Sequence, residues 1–591
     1  MMSNILPPGL LFLLGALLIP VLKGKLKSAY LVLLPVLGLL NMHAMPHGAS
    51  WIYQIAGYEL ILGKVDKLAL VFGYVFHIGA FMTMIYMLQV KRDLEYVAGF
   101  LYAGAALGVL FAGDLFSFFV FWEMLTIPAA LLVFASGTKP ATAAAFRYIM
   151  MHVLGGVILL AGIMLHVAES GSIEVKSIGL GSIGSYLMFL GMGVNAAWPL
   201  LHSWLIDSYP KATIGGTVIL SAFTTKTAVY ALARTFPGAE PLIWIGSLMV
   251  TLPVFFAVIE NDLRKVLSFS LINQVGYMMI GIGIGTTLSL NGVAAHAFCH
   301  IIYKALLFMS MGAVLHRVGS TKATDLGGLF RSMPITCTCC IIGAASISGF
   351  PLTSGFVSKA MVVSAAAYGH MLILWFVLLF ASAGVLEHAG IKVPFFAFFS
   401  HDSGKRVKEA PMNMLIGMGI AAFLCIFIGV YPDPLYSILP YEVDYKPYTI
   451  DHVLGSLQLL VFAGLAFCLM LLGGVYPAEK RALNLDSDWL YRGFLKCLVQ
   501  LIDSVANGVN AACQYIFVDG FTRGINQFFV AAPQRIATLL LAPFWILSGL
   551  TSSEIAERRS AVETAISNST VKIGATCAAT LICVWFLYIL R

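Results

Sequence analysis

The sequence predicts an all-α polytopic membrane protein with about 15–17 transmembrane helices. Of its 591 residues, 60% are hydrophobic and only 11% are charged. A helix needs roughly 20 apolar residues to cross a bilayer, and apolar runs of that length recur along the chain. No polar segment between these runs is long enough for a separate globular domain. Two of the runs are also interrupted at corresponding points, which indicates an internal repeat.

Short polar loops separate the apolar runs. The predicted spans cover residues 5–22, 28–45, 67–90, 94–112, 115–135, 142–168, 184–206, 212–235, 240–259, 266–284, 290–315, 334–365, 371–400, 412–432, 452–476 and 571–590. We divide the chain into N-terminal transmembrane helices with an exterior hairpin (1–93), a first repeat (94–235), a second repeat (236–400), C-terminal transmembrane helices (401–480), and an amphipathic helix with a terminal anchor (481–591).

Basic residues in alternate loops predict the orientation. The basic loops carry Lys23, Lys25, Lys27, Lys91, Arg92, Lys139, Arg147, Lys211, Arg264, Lys265, Arg317, Lys322, Arg331, Lys405, Arg406 and Lys408, whereas the sparse loops carry Lys64, Lys67, Lys176 and Arg234. Because basic loops remain in the cytoplasm, we expect the N-terminus outside the plasma (inner) membrane of a bacterium. The net charge of +7 does not indicate nucleic-acid binding, since the basic residues form no continuous stripe.

Two short segments predict local structure rather than chemistry. Residues 51–62 alternate around Gly57 and predict a short exterior hairpin. Cys337, Cys339 and Cys340 resemble a metal site at first sight. They open an apolar helix with no other Cys, His or acid close by in the sequence, so we expect neither a metal nor a cofactor.

Pro and Gly interrupt the seventh and twelfth spans, at residues 195–199 and 348–355. Such breaks release backbone groups that protein or a wet cavity must then satisfy. Five spans separate them. We therefore interpret spans four to eight and nine to thirteen as two inverted five-helix repeats, with broken helices 7 and 12 around ion sites.

His296, His300 and Lys304 recur every four residues inside the span 290–315, so they lie on one helical face. A lysine in hydrocarbon costs roughly 2.5 kcal/mol or more, and it usually faces a protein interior or a wet path. Membrane histidines often only bond a carbonyl across a helix interface, and this alternative stays open for each one. Three such groups in one column favour a proton or cation path.

Other spans carry isolated polar groups. Glu123 lies among aromatic residues, Lys226 lies mid-span, and Lys359 either sits near the membrane centre or snorkels to an edge. His152 is a further relay candidate, for which packing or a structural hydrogen bond is an equal alternative. Further candidates are His202 and Asp207 near the end of the seventh span, and Glu387, His388 and Lys392 in the thirteenth. Charges spread at one depth are typical of a lateral relay.

Six motifs occur in a recognisable order. They are Phe121-Trp-Glu123-Met, His202-Ser-Trp-Leu-Ile-Asp207, Thr225-Lys226-Thr-Ala-Val-Tyr230, Asp262-Leu-Arg-Lys-Val-Leu-Ser-Phe-Ser, His296-x3-His300-x3-Lys304-Ala-Leu-Leu-Phe and Gly355-Phe-Val-Ser-Lys359. From about residue 66 to 431, the chain resembles the antiporter-like subunits of respiratory complex I and the large D-type subunit of Mrp-type cation/proton antiporters.

The resemblance implies roles for these residues. Glu123 would be the fifth-helix carboxylate that modulates a lysine, and Lys226 the central relay lysine. The His296 column would continue the relay to Lys359, where protons or cations exit. One position departs from the family: its seventh-helix lysine falls seven residues before His202, where this chain has Asn195. Glu123 would then pair with another cation such as Lys226 or Arg147, or the entry path would be altered.

The favoured function is that of a proton-translocating subunit of a multi-subunit Na⁺/proton antiporter. The alternative is a pumping membrane-arm subunit of a complex I-like NADH/quinone or hydrogenase complex. The chain has no Gly-rich dinucleotide loop and no iron–sulfur cysteine pattern, so redox chemistry would belong to partner subunits. Asn195 also leaves a non-pumping, structural subunit open, and a stand-alone carrier ranks last.

The C-terminal region extends beyond a minimal subunit of this family. Its polar residues recur in steps of three and four at Arg492, Lys496, Gln500, Asp503, Asn507, Asn510 and Gln514. This spacing predicts an amphipathic helix, followed by an anchor near residue 571. The arrangement resembles the lateral helix of one complex I subunit, and a simple interfacial helix remains the alternative.

Overall fold

The computed structural model describes residues 6–482, 484, 486–568 and 571–589. The chain divides into two units, with the boundary between Asp486 and Ser487. Within the described residues, 12 helices are long and apolar enough to cross a membrane, and three shorter apolar helices accompany them. The polytopic all-α class predicted from the sequence is confirmed.

A hairpin connects the first helices. The N-terminal elements are α1 (Pro8–Leu18), α2 (Gly24–His43), β1 (Gly48–Ile55), β2 (Tyr58–Val65) and α3 (Lys67–Met87). Strands β1 and β2 pair antiparallel, with Ile55 opposite Tyr58. Ala56 and Gly57 form the turn with φ of 52° and 82°, the left-handed pair that a tight hairpin requires. The predicted hairpin is therefore present.

The first repeat contains the predicted break and a second one. Its helices are α4 (Asp93–Phe111), α5 (Leu115–Met124), α6 (Thr126–Phe134), α7 (Lys139–Ser170), α8 (Ile183–Asn195), α9 (Ser203–Ser208), α10 (Ile214–Ala222) and α11 (Thr224–Thr235). Helix α8 ends at Asn195, and Ala197 and Leu200 have positive φ before α9 begins. The break at Phe223, between α10 and α11, has no Pro or Gly at it, so the sequence did not reveal it.

The second repeat has the same plan. Its helices are α12 (Pro241–Ile259), α13 (Leu263–Ile284), α14 (Thr287–Val318), α15 (Pro334–Ser348), α16 (Ser354–Tyr368) and α17 (Leu372–Val385). Gly349 ends α15 in a left-handed conformation, and α16 resumes at Ser354, so the twelfth span is broken as predicted. Helix α17 continues through π-helical turns at Leu386–Lys392 and Phe395–Phe399.

Matching residues at equivalent points support the repeat. In each repeat an aspartate caps one helix (α5 or α13) and forms a β-bridge with the loop after the long helix (α7 or α14). Each long helix has 32 residues and ends at a left-handed glycine. The counterparts are Asp114 and Asp262, Glu174 and Lys322, and Gly171 and Gly319, each pair 148 residues apart. The same backbone device therefore recurs at the same place in both halves.

The C-terminal elements are α18 (Met412–Val430), α19 (Asp433–Ser437), α20 (Ile450–Leu472), α21 (Leu495–Cys513), α22 (Phe521–Leu547), α23 (Ser552–Ser567) and α24 (Val571–Ile589). Helix α21 coincides with the predicted amphipathic helix, and its residues are exposed in the chain alone. Its lateral placement stays a prediction.

Basic residues from the two sets of loops line two separate cavities. Arg92, Lys211 and Arg264 of the basic loops line one cavity. The four basic residues of the sparse loops, Lys64, Lys67, Lys176 and Arg234, line another. We call these the basic face and the sparse face. The alternation of the loops holds, whereas the side of the membrane that each face occupies stays a prediction.

One contact at the start of α15 was not visible in the sequence. Glu409 accepts hydrogen bonds from Ile335 N (2.8 Å) and Thr336 Oγ1 (2.6 Å) at the first turn of this helix. This carboxylate satisfies amide groups that every helix start leaves unpaired. It lies within electrostatic reach of Cys337, so an acid does stand near the three cysteines. The sequence could not show this contact because Glu409 arrives from a distant loop.

Candidate functional site

Lys226 lies at the break between α10 and α11 and is fully buried. Its ammonium donates hydrogen bonds to Ser221 O (2.6 Å) and Thr225 Oγ1 (3.3 Å). The end of α10 releases carbonyl groups from helical pairing, and Lys226 uses one of them. Among the described residues it has no carboxylate partner. The break thus holds a buried amine that no carboxylate of the described residues pairs with.

The column predicted on the eleventh span is present on α14. His296, His300 and Lys304 are fully buried, and the two imidazole centroids lie 6.1 Å apart. Lys304 donates to Leu267 O (3.2 Å) and Ser270 Oγ (3.0 Å), and His296 Nδ1 lies 3.4 Å from Ser358 Oγ. Neither ring nitrogen of His300 has a hydrogen-bond partner in the described part of the chain.

Lys359 lies on α16, the part of the second broken helix that follows the break. It is 5% exposed, so it does not snorkel to the membrane surface. Its Nζ lies 5.1 Å from the ring centroid of Tyr277, a cation–π distance, and has no hydrogen-bond partner in the described residues. Tyr277 is itself fixed by Leu378 O (2.7 Å) and Ser382 Oγ (2.8 Å).

Electrostatic reach joins these groups into one row. His300 interacts with Lys226 and Lys304, and His296 interacts with Lys226 and Lys359. The row therefore runs from α11 through α14 to α16, inside the helix bundle. We call Lys226, Lys304, His300, His296 and Lys359 the buried row.

Two neutral groups that sequence reasoning missed accompany the buried row. Tyr303 donates to Gln274 Oε1 (3.1 Å), and Gln274 donates to Asn273 Oδ1 (2.8 Å). Asn273 and Gln274 are fully buried in α13. The signal was available, since two adjacent amides inside an apolar span need partners.

Glu123 does not have the partner expected of it. Lys226 is held by Ser221 and Thr225, and Arg147 pairs with Asp207 at 2.7 Å, so the predicted pairing of Glu123 with Lys226 or Arg147 was wrong. The Oε1 atom of Glu123 is buried without a hydrogen-bond partner in the described chain. This carboxyl packs against Gly156, where an added Cβ would lie 1.8 Å from Oε1.

Asn195 and His152 form a neutral pair in the first repeat. His152 Nδ1 lies 2.8 Å from Asn195 Oδ1, and both residues are buried. The imidazole also packs on Tyr148 and Trp204, with centroids 4.0 and 4.5 Å away. Packing and a structural hydrogen bond, which together were the alternative to a relay role for His152, are both present.

His202 and Asp207 are separate from the buried row. Asp207 forms ion pairs with Arg147 and Lys211, both from basic loops. His202 Nε2 lies 3.2 Å from Asp486 Oδ1, at the end of the first unit. These two residues therefore belong to contacts at the basic face.

The cluster of the thirteenth span is extended by a residue that the sequence did not predict. Lys392 is fully buried, donates to Val258 O (2.6 Å) and Glu260 O (2.8 Å), and pairs with Glu479 Oε1 at 2.8 Å. His388 lies within electrostatic reach of Lys304, Lys359 and Lys392. The Oε1 atom of the adjacent Glu387 is also buried and has no hydrogen-bond partner in the described residues.

Comparison with known proteins finds one matching family and several relatives among membrane proteins. Residues 112–386 match the family described as NADH:quinone oxidoreductase/Mrp antiporter, transmembrane. The chain is 29% identical over 365 residues to the D subunit of the Na(+)/H(+) antiporter of Alkalihalophilus pseudofirmus, covering 57% of this chain and 72% of that one. It is 29% identical over 381 residues to the L subunit of the F(420)H(2) dehydrogenase of Methanosarcina mazei, and the match spans 56% of each of the two chains.

Solved structures share the fold. A chain of the membrane-bound sulfane sulfur reductase, an archaeal respiratory membrane complex, aligns with a TM-score of 0.65 at 24% identity, over 78% of this chain and 98% of that chain. A chain of the Mrp complex from Dietzia sp. aligns with a TM-score of 0.63 at 20% identity, over 76% and 95%. Residues 112–386 therefore match the transmembrane domain of the NADH:quinone oxidoreductase/Mrp antiporter family, and the chain is similar to antiporter-like membrane subunits.

Proposed function

We propose that the chain is the proton-translocating subunit of a multi-subunit Na⁺/proton antiporter, and that protons move along the buried row. The observation that carries this proposal is the row itself: three buried lysines and two buried histidines that no carboxylate pairs with in the described residues. Burial penalises the charged form of each group. A proton therefore gains little by staying on any one of them, and it passes readily to the next.

The order of the groups suggests a direction along the row. A proton on Lys226 passes to Lys304 or His300, then to His296, and finally to Lys359, each donor becoming neutral as its neighbour is charged. The unpartnered nitrogens of His300 leave room for an intervening water that relays the proton. In this proposal Glu123, His152 and Asn195 of the first repeat belong to the entry side of Lys226, and Asn195 stands where the family resemblance implies a lysine.

Membrane partners follow from the same comparisons. One relative is the D subunit of a Na(+)/H(+) antiporter, and a structural neighbour is a chain of an Mrp complex. We infer that other membrane proteins bind this chain in the plasma membrane as subunits of one assembly. The N-terminus would be outside, with the basic face in the cytoplasm. Neither a cofactor nor nucleic acid enters this proposal.

The proposal is tested by replacing Lys226 with Ala. We expect Na⁺-driven proton movement in inverted membrane vesicles, followed with a pH-sensitive dye, to fall to background while the assembled complex still purifies intact. Lys139→Ala is the matched control, because Lys139 is exposed at the start of α7. Transport that survives Lys226→Ala would contradict the proton relay.

A second candidate function is a pumping membrane-arm subunit of a redox complex. It is favoured by the relative from an F(420)H(2) dehydrogenase and by the fold shared with a sulfane sulfur reductase chain. Purification of the native protein in mild detergent, with mass spectrometry of its partners, separates the two. Small hydrophobic subunits alone support the antiporter, whereas iron–sulfur, flavin or hydrogenase proteins support the redox complex.

A further inference from the structure

The cavity on the basic face has a volume of about 560 Å³ and lies where α3, α6 and α14 end and α4, α10 and α13 begin. Three basic side chains line it, Arg92, Lys211 and Arg264, together with His316. Among the described residues of its lining, Glu95 supplies the only carboxyl. Because cations outnumber carboxyls in the wall, the cavity favours an anion.

Arg264 is a deeply buried cation of this wall. It is 3% exposed, and no carboxylate of the described residues forms an ion pair with it. Its guanidinium donates to Pro210 O (2.9 Å) and Ala212 O (3.1 Å), whereas its Nε has no partner in the described chain. Asp262 is within electrostatic reach, but this carboxylate caps α13 and accepts from Thr321 Oγ1 (2.9 Å). A buried charge without an ion pair is costly, and a bound anion would offset this cost.

Two further groups in the wall can bind an anion. The first turn of α10 leaves N–H groups without intrahelical partners, and Ile214 and Gly215 of that turn line the cavity. The positive end of the helix dipole favours negative charge at the same place. Arg92 is exposed at the start of α4, and its Nη1 donates to Ala135 O (2.5 Å). An arginine has five N–H donors in all, so Arg92 has donors left for a ligand.

The arrangement of these donors indicates which anion fits. Arg92 belongs to α4, Arg264 to α13 and Gly215 to α10, so donors reach the cavity from three elements. A phosphate group offers more oxygens to such a set than a planar carboxylate does, and a guanidinium binds two of them at once. Basic pockets between transmembrane helices on the cytoplasmic side also bind anionic lipid headgroups. Phosphate chemistry therefore matches both the donors and the position of the cavity.

We propose that this cavity binds a phosphate group, carried by an anionic lipid headgroup or present as free phosphate. Arg264 and Arg92 bind its oxygens, and the first turn of α10 completes the site. Lys211, which is already paired with Asp207, contributes charge at longer range. The site goes beyond the proposed function, since none of its residues belongs to the buried row.

Thermal unfolding tests the site without a measurement of transport. The intact complex is purified, depleted of lipid in mild detergent, and titrated separately with phosphatidylglycerol, phosphatidylcholine and inorganic phosphate. A ligand that binds the folded state raises the melting temperature. Arg92→Gln removes one cation of the cavity. Lys91→Gln is the matched control, because Lys91 is the exposed neighbour in the same loop and does not line the cavity.

We expect Arg92→Gln to raise the ligand concentration at half of the shift roughly tenfold, the scale of one lost charge-assisted hydrogen bond. Lys91→Gln should change it by less than about twofold. A shift with phosphatidylglycerol alone identifies a lipid headgroup, and a shift with inorganic phosphate identifies free phosphate. No shift with either, an equal shift with phosphatidylcholine, or an equal loss in both variants would overturn the site.

A second pair of variants keeps every basic residue in place. Ser136 is half-buried and lines the cavity. Ser136→Glu adds a carboxylate that repels phosphate, and Ser136→Gln adds nearly the same volume without the charge. We expect the Glu variant to lose the ligand-induced shift and the Gln variant to keep it. If both variants kept the shift, binding would occur elsewhere and the site would be overturned, whatever the result with Arg92→Gln.

Discussion

The third helices of the two repeats share a backbone and differ in chemistry. Helix α14 carries His296, His300 and Lys304 in one column, and the positions 148 residues earlier on α7 are Tyr148, His152 and Gly156. The second position is histidine in both helices. The lysine of the second half corresponds to a glycine in the first, and the carboxyl of Glu123 packs against that glycine.

The partners of the two columns differ as well. In the first half, His152 Nδ1 bonds Asn195 and Tyr148 OH lies 3.1 Å from Thr224 Oγ1, so each of these two rings has one neutral hydrogen bond, while His152 Nε2 has no partner in the described residues. In the second half, His300 has no partner within the described residues. A hydrogen-bonded neutral network rigidifies a core, whereas the ring nitrogens of an unpartnered imidazole remain free to bond water. From this comparison we expect the first half to be mainly structural and the second half to exchange protons.

The largest expected difference between the halves is in transport. Replacing Lys304 with Met removes a titratable link of the buried row, and we expect roughly a hundredfold slower proton movement, the scale of one lost proton-transfer group. Tyr148→Phe is the matched change in the first half, because it removes only a hydroxyl from the corresponding column; we expect less than about a twofold effect. Vesicle assays of both variants give the ratio, and equal losses would refute the division of roles.

Gly156 occupies the position on α7 that corresponds to Lys304 on α14. A glycine-to-alanine change there tests the packing of Glu123 against this position. Gly156→Ala places a Cβ against Glu123 Oε1, and overpacking of this kind costs about 1–3 kcal/mol. We expect a lower melting temperature of the purified complex, and restoration in the double variant Glu123→Ala/Gly156→Ala. The control is Gly419→Ala on α18, where nothing lies within 4 Å of the added Cβ. A double variant as unstable as Gly156→Ala would argue against this contact.

A double-mutant cycle compares the histidine pairs of the two halves. His152→Leu and Asn195→Leu should show a coupling of about 1 kcal/mol in stability, the net worth of a buried hydrogen bond. The longer pair of the second half, His296 with Ser358 at 3.4 Å, should couple more weakly. Thermal unfolding of each set measures both couplings. A stronger coupling in the second half would contradict the expectation that the first-half pair is the stronger hydrogen bond.

The smallest effect is expected in the loop that follows α7. Lys64 and Lys176 pair with the partly exposed Glu174, and these contacts lower the pKa of its carboxyl. A lowered folded-state pKa stabilises the protein above about pH 4.3, the unfolded value, and the benefit is lost as pH falls. Glu174→Gln should therefore cost less than about 1 kcal/mol at pH 7. Its melting temperature should match that of the parent protein in acid, and a difference that persists there would contradict the ion pairs.

Much of the fold was predictable because its signals are local. Runs of apolar residues gave the spans, Pro and Gly near 195–199 and 348–355 gave both broken helices, and the turn at Gly57 gave the hairpin. The break at Phe223 escaped because no residue there disfavours helix by itself. The break instead accompanies the packing around Lys226, whose ammonium donates a hydrogen bond to the carbonyl of Ser221.

The candidate site was predictable as a set of residues and unpredictable as a set of contacts. The four-residue spacing of His296, His300 and Lys304 fixes one helical face, and Lys226 and Lys359 stand out because a charged group in an apolar span is rare. Their partners come from distant parts of the chain. The expected partners of Glu123 were wrong for this reason: Gly156 offers it space, whereas Asp207 already holds Arg147.

The sequence by itself determined the spans, the alternating loops, the repeat and the buried titratable residues, because periodicity and hydrophobicity act over neighbouring positions. Only the tertiary structure decided which of these residues meet. It paired Lys392 with Glu479, bonded His152 to Asn195, and brought Arg92 and Arg264 into the lining of one cavity. Such contacts depend on how helices pack, and packing joins residues whose separation along the chain carries no local signal.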